Sequence, residues 1–301
     1  MIDYTKFLKK NYFPIFLFHG VTQKNKTYRV RNYIKKHISK DQFYSVCLKL
    51  SKIGNILSMD EVYEILLKKK KLPPFSYAIT FDDGFLNNLT VAAPILHDLK
   101  LPATFYVTTN FIDKNYMSWV DRLERELEKK SKNKIIVPWG IFEANNTKKK
   151  IEFLNNLRKV LKTNPSFNPD KITNDIILQL GRKIEYTGES ELDKKMNWQN
   201  IKLLSSEKMF TIAPHSHTHK ILSFCDEKNL RLEITKSIYL LQNKLKVNNF
   251  HFAYPDGQSN HYNTEVISVL KKSGIKCCPT AISGINNVRT NPFNLKRIMV
   301  V

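Results

Sequence analysis

Two short strings, far apart in the chain, hold the side chains best suited to chemistry. The first, Thr80-Phe81-Asp82-Asp83-Gly84, sets two carboxylates side by side at the end of an uncharged, β-forming run, Phe75-Ser76-Tyr77-Ala78-Ile79-Thr80-Phe81, bounded by Pro73-Pro74 and Gly84. Adjacent carboxylates repel, so a site that buries both calls for a cation or a shared proton. The second, His215-Ser216-His217-Thr218-His219, follows the apolar run Met209-Phe210-Thr211-Ile212-Ala213. His215 and His219 stand four apart, which on a helical turn puts both imidazoles on one face and leaves His217 on another. Two imidazoles and a carboxylate brought from elsewhere make a three-ligand metal site with an open position. Either string alone also reads as an ordinary polar turn; together they point to a metal centre.

A third string, Phe252-Ala253-Tyr254-Pro255-Asp256-Gly257, has the same form, a short apolar run that ends in Pro and Gly. Taken in order, Thr-Phe-Asp-Asp-Gly, His-Ser-x-Thr-His and a Tyr-Pro-x-Gly turn resemble the polysaccharide deacetylases of carbohydrate esterase family 4. Further segments carry the likeness. Phe16-Leu17-Phe18-His19-Gly20-Val21 is similar to the family's opening strand, and Pro94-Ile95-Leu96 with Leu101-Pro102-Ala103-Thr104-Phe105-Tyr106-Val107 to its second helix and third strand. Trp198-Gln199-Asn200-Ile201-Lys202-Leu203-Leu204 resembles the helix that precedes the histidines. About two-thirds of the chain is covered in this way.

The resemblance implies that Asp83, His215 and His219 hold one divalent metal, zinc for preference, and that Asp82 is the general base for the attacking water. It also implies that the backbone N–H at Asp256 is a second oxyanion donor. A metal brings the pKa of its water to about 7 and polarises the amide carbonyl, so the ligand set suits hydrolysis at neutral pH. The chain departs from the commonest family pattern: Ala253 stands where many members carry an Arg that pairs with the base. The late Leu-x-x-His, which would supply the general acid, is replaced by Leu295-Lys296-Arg297-Ile298. An arginine near the end instead resembles a Tyr-Pro-x-Gly subgroup. His19 and His261 are the two candidates for the acid, and Arg297 is placed either with the base or on an anionic substrate group. His19, Tyr254, His261 and Arg297 are expected to contact substrate.

Composition bounds the reading. With 301 residues and 42% hydrophobic content the chain can bury a substantial core, and it contains no apolar run long enough to span a membrane. Its start lacks a basic, then apolar leader pattern. Cys47, Cys225, Cys277 and Cys278 have no metal-binding spacing and are expected reduced and packed, so the expected compartment is the cytoplasm. The net charge of +22 comes from 40 Lys and 9 Arg. Such an Arg-poor surface is poorly suited to bidentate recognition of phosphates or bases, so nucleic acid is not expected as a partner. An N-acetylated amino-sugar substrate that bears phosphate, or the face of a membrane, fits the charge better.

The elements that must place these residues alternate between strand-like and helical, as a parallel barrel requires. Residues 41–53, 59–70, 86–99, 226–246 and 263–273 read as helices, and 104–108 and 250–254 as strands, the latter carrying the third string. The resemblance implies that residues 1–301 form a single domain, a distorted, incomplete (β/α) barrel. Residues 118–197 are longer than a crossover needs and read as a helical insertion within it, beginning at Trp119 and continuing through the 149–162 stripe of Ile151, Leu154, Leu157 and Leu161. The expected activity is removal of an N-acetyl group from an amino sugar, in a precursor of surface polysaccharide or glycolipid. Hydrolysis of a small non-sugar amide or formyl group, and sugar binding without turnover, are the alternatives.

Overall fold

Strands distant in sequence pair in parallel in the computed structural model, which describes residues 2–24, 26–68, 70–129, 134–248 and 250–301. Met1, Lys69 of the basic run 68–71 and residues 130–133 of the insertion lie outside the described residues. Strand β1 (Ile15–Phe18) is followed by β2 (Gly20–Thr22), which pairs with β3 (His37–Ser39). The Ser39 hydroxyl accepts the Gln42 N–H and so caps α1 (Lys40–Ile53). After β4 (Asn55–Leu57), Ser58 and Glu61 form a capping box at α2 (Met59–Leu67). Then comes β5 (Ser76–Phe81), buried along its whole length. A π-turn at Asn88–Ala92 breaks the predicted 86–99 helix before α3 (Ala93–Asp98), and β6 (Ala103–Val107) and α4 (Thr109–Lys114) follow.

The insertion contains α5 (Trp119–Glu128), an antiparallel hairpin of β7 (Lys134–Val137) and β8 (Gly140–Glu143), α6 (Thr147–Thr163) and α7 (Pro169–Gln179). The hairpin corrects the wholly helical reading; its β-branched Ile135, Ile136 and Val137 run straight into the turn at Pro138-Trp139. Leu123, Leu127, Ile135, Phe153, Leu154, Leu157, Leu161 and Ile176 give the insertion an apolar cluster of its own. The chain then returns through α8 (Trp198–Ser206), β9 (Phe210–Pro214), α9 (Glu227–Leu245), α10 (Thr264–Lys272), β10 (Pro279–Ser283) and β11 (Leu295–Met299).

The main sheet runs β10-β11-β1-β5-β6-β9, with β4 also on β5, and every pair in it is parallel. Residues 250–254, expected as a regular strand, span the gap between β9 and β10 with isolated bonds instead. The N–H groups of Phe252 and Tyr254 donate to Cys277 O (3.2 Å) and Pro279 O (3.3 Å), and that of Ala253 to Pro214 O (3.2 Å). Pro214 and Pro279 accept but have no N–H to return, so no continuous ladder forms and the barrel stays incomplete. The largest apolar cluster packs the sheet, through Phe16, Phe18, Phe81 and Phe105, against helices that include α1, α3 and α8. The first two strings thus emerge at the carboxyl ends of β5 and β9, and the third follows the irregular segment that bridges β9 and β10.

Candidate active site

Asp82 and Asp83 lie just past β5, where the Asp82 N–H donates to Phe18 O (3.0 Å) on β1. Strand alternation would send the two carboxylates to opposite sides, but it does not apply here. Asp83 is left-handed (φ +75°) and Gly84 follows at φ +79°, so the chain folds back at once. Both carboxylates therefore approach the same imidazole: His215 Nε2 lies 3.8 Å from Asp82 Oδ2 and 3.7 Å from Asp83 Oδ1.

The histidine string is a loop and not the helical turn expected. Ser216 (φ +64°) and His219 (φ +63°) are both left-handed, and the His219 N–H donates to Ser216 Oγ (2.9 Å). This loop, rather than an i, i+4 helix face, brings the rings to 4.9 Å between centroids. The buried Glu233 of α9 fixes it by accepting the N–H groups of His217 (3.0 Å) and Thr218 (2.7 Å). His217 turns away, its Nδ1 bonded to Thr109 Oγ1 (2.8 Å).

Asp83, His215 and His219 offer ligand atoms that all lie within 4.8 Å of one another. His219 Nε2 is 3.2 Å from Asp83 Oδ1, near the roughly 3.4 Å separation of tetrahedral ligands on zinc. Two further observations make the set fit a cation. His215 Nδ1 donates to Ala253 O (2.9 Å), which leaves the Nε2 lone pair facing the cluster, and burial keeps the ring's pKa below normal, so it is neutral. Asp83 Oδ1 is buried and accepts no hydrogen bond.

Arg297 is not a surface charge and does not reach toward substrate, which corrects its listing among the contacts above. It is fully buried on β11, two strands from β5, and grips Asp82 with both arms, Nη1 to Oδ1 at 2.8 Å and Nη2 to Oδ2 at 2.6 Å, while Nε donates to Thr280 O (2.5 Å). Burial alone would raise the Asp82 carboxyl; Arg297, with His215, holds it below the usual carboxylate range.

A cavity of about 190 Å³ opens over these groups, lined among others by His19, Lys36, Asp82, Asp83, Trp119, Arg158, Lys162, His215, His219, Tyr254 and Asp256. His19 stands just past β1 with its Nδ1 unpaired, and burial pushes its pKa down to about 4. His261 does not line the cavity: its Nδ1 accepts the Gln258 N–H (3.1 Å) and its Nε2 donates to Lys162 O (2.9 Å), so neither nitrogen is open to substrate. Tyr254 reaches the cavity wall, but its ring stacks on Tyr262 at 4.2 Å inside the core and its hydroxyl donates to Phe293 O (3.2 Å), so the hydroxyl is not turned to substrate. Asp256 is left-handed (φ +57°), and its N–H makes no hydrogen bond among the described residues. The next residue must be glycine, because a Cβ at Gly257 would meet Ala281 N at 2.6 Å.

Sequence reasoning passed over the residues that the insertion and its neighbours supply. Lys162 of α6 forms an ion pair with Asp256, and Lys36 one with Asp121 (2.5 Å) on α5. Lys195 Nζ, buried 3.1 Å from the Phe85 ring centroid, lies 3.7 Å from the other Asp121 oxygen, and its pKa is lowered to about 8 by burial. A signal for Lys162, and for Arg158 on the same wall, was present: Leu154, Arg158 and Lys162 recur every fourth residue, beside Leu157 and Leu161.

Three side chains that could hold a metal ion thus stand beside a buried, arginine-held carboxylate at the carboxyl rim of a parallel α/β barrel. The sequence pattern of the polysaccharide deacetylase family matches residues 69–138 and 178–278, and the chain belongs to that family. No curated protein matches it by sequence. Among solved structures it is similar to the Streptococcus pyogenes deacetylase PplD in complex with acetate (TM-score 0.62, 16% identity, covering 97% of this chain and 93% of that one). It is similar also to IcaB from Ammonifex degensii (0.60, 15%, 98% and 94%) and to the BpsB deacetylase domain from Bordetella bronchiseptica (0.56, 16%, 96% and 96%). At such identities the likeness establishes the fold, a distorted deacetylase-type barrel.

Proposed function

We propose that this protein is a metal-dependent N-deacetylase acting on an amino sugar, in a surface polysaccharide or in a cytoplasmic, phosphate-bearing precursor of one. The observation that carries this is the convergence of Asp83, His215 and His219 on one point of the cavity, with Asp82 beside them held ionised by Arg297. Asp83, His215 and His219 would hold the metal, for which zinc suits the two-nitrogen, one-oxygen donor set. When bound, such an ion acidifies water and polarises the amide carbonyl. Asp82 takes the proton from the attacking water, and Arg297 keeps that carboxylate charged and oriented. The Asp256 N–H, left without an internal partner, is free to donate to the oxyanion as the carbonyl becomes tetrahedral. His19 is the histidine left on the cavity wall to protonate the departing amine; it is neutral at pH 7 in the free protein, and the proton it delivers is the one that Asp82 takes from the attacking water. Acetate and a free amine are the products. Four free cysteines, three of them buried, agree with a reducing compartment, and among the described residues no helix is long and apolar enough to cross a membrane.

The test separates the two neighbouring carboxylates. Asp82→Asn should keep metal and bind substrate while acetate release falls by roughly 10²- to 10⁴-fold. Asp83→Asn should lose metal affinity, and added metal should restore part of its activity. Turnover by Asp82→Asn at the parent rate would place the base elsewhere.

A further inference from the structure

We infer that Arg158, flanked by Lys36 and Lys162, forms a subsite for an oxyanion group, a phosphate or a carboxylate, carried by the amino-sugar substrate; this rests on the N-deacetylase reading above. Three cations line the cavity over the Asp83–His215–His219 cluster. Two are in close ion pairs, Lys36 with Asp121 and Lys162 with Asp256. Arg158 has only a loose one, and its guanidinium also lies over the Tyr33 ring. Its nearest carboxylate oxygen, Glu124 Oε1, is 3.7 Å from Nη1, and its one hydrogen bond among the described residues is a 3.5 Å contact with the Tyr33 hydroxyl. The other Glu124 oxygen is occupied by the Asn32 N–H (2.9 Å).

The guanidinium is 16% exposed, and among the described residues its Nε and Nη2 make no hydrogen bond to protein, so both can turn to an acceptor that enters the cavity. Its planar fork matches phosphate or carboxylate oxygens two at a time, which the ammonium groups of Lys36 and Lys162 cannot do, although their charge adds to the attraction. Asp82 and Asp83 do not cancel that attraction, since one is paired with Arg297 and the other belongs to the cation cluster. Trp119, half-buried on the same wall, offers a face for the sugar ring between the two ends. Arg158 and Lys162 both fall in residues 139–177, the stretch that the family pattern leaves unmatched. The insertion therefore adds a charge preference to a family-type centre.

The experiment follows acetate release by the metal-loaded parent, Arg158→Gln and Arg158→Lys on three substrates: N-acetylglucosamine 1-phosphate, a hyaluronan tetrasaccharide bearing carboxylates, and neutral N,N′-diacetylchitobiose. Arg158→Gln should raise KM for the anionic substrate in use by at least about tenfold more than for the neutral one, the factor that loss of a charge-assisted bond produces. Arg158→Lys should fall between. Whether the phosphate or the carboxylate substrate shows the effect identifies the anion. Inorganic phosphate should compete with the phosphate substrate in the parent and much less in Arg158→Gln. Equal effects on charged and neutral substrates, or none on either, would overturn the subsite. Should the parent hydrolyse no N-acetyl sugar, the function above fails while the subsite is still decided by calorimetry: N-acetylglucosamine 1-phosphate should bind the parent at least about tenfold more tightly than Arg158→Gln, and equal binding would refute it.

Discussion

At the scale of single residues the pairing of Asp82 with Arg297 decides how the site behaves with pH. Burial favours the neutral acid and the guanidinium favours the carboxylate; the guanidinium wins, and the carboxyl lies below its usual range. A general base held that low stays ionised well into mildly acidic solution. Arg297→Gln removes the cation and leaves the burial, so the carboxyl pKa should rise and the acid limb of kcat/KM should move to higher pH. Arg297→Lys, which keeps the charge but loses the fork, should move it less. Because the pair is fully buried, Arg297→Gln should also lower stability, by about 3–5 kcal/mol, so melting curves belong beside the pH profiles. An acid limb that stays in place in Arg297→Gln would show that Asp82 is not the group whose ionisation limits the rate.

At the scale of elements, helix α6 is fastened to the turn that carries the third string. Its penultimate residue, Lys162, bonds that turn twice: the side chain pairs with Asp256, and the carbonyl accepts from His261 and, at 3.3 Å, from Asn260 Nδ2. Asp256 and Gly257 are both left-handed, a conformation that costs energy for the aspartate and needs support. Lys162→Met removes only the side-chain tie. With a neutral N-acetyl substrate it should lower kcat by about tenfold, since a misaimed oxyanion donor costs more in the transition state than in substrate binding, with metal content unchanged and KM little altered. Lys162→Arg should recover most of the loss. A rise in KM for that neutral substrate with kcat intact would make Lys162 a substrate contact and not a support for the turn.

Across the whole molecule, a charge of +22 sets up a long-range attraction for anions that acts before any contact is made. For a phosphate-bearing substrate, raising salt from low ionic strength past about 0.1 M, where the screening length is near 10 Å, should raise apparent KM while kcat stays nearly constant. Stopped assays across a salt series check this. A flat response would leave the lysine excess without a role in substrate capture.

The identity of the reacting groups was legible in the sequence because it is local. A β-forming run that ends in Asp82-Asp83-Gly84, and another that ends in His215-Ser216-His217-Thr218-His219, carry their chemistry within a few residues of a strand end, and parallel α/β folds collect strand ends on one rim. The alternation of strands and helices likewise announced the barrel. The partners of those groups were settled only by tertiary structure. Arg297 meets Asp82 because β11, β1 and β5 are neighbours in the sheet, an order that no local pattern encodes. The imidazoles converge through two left-handed residues where the spacing suggested a helix. His261 and Tyr254 have the right chemistry for substrate, yet a loop and a core absorb them. Lys162 and Arg158 look like surface charge in a lysine-rich chain until the insertion packs them over the cavity. Residue type fixes what a group can do; which group it faces depends on contacts across long sequence separations.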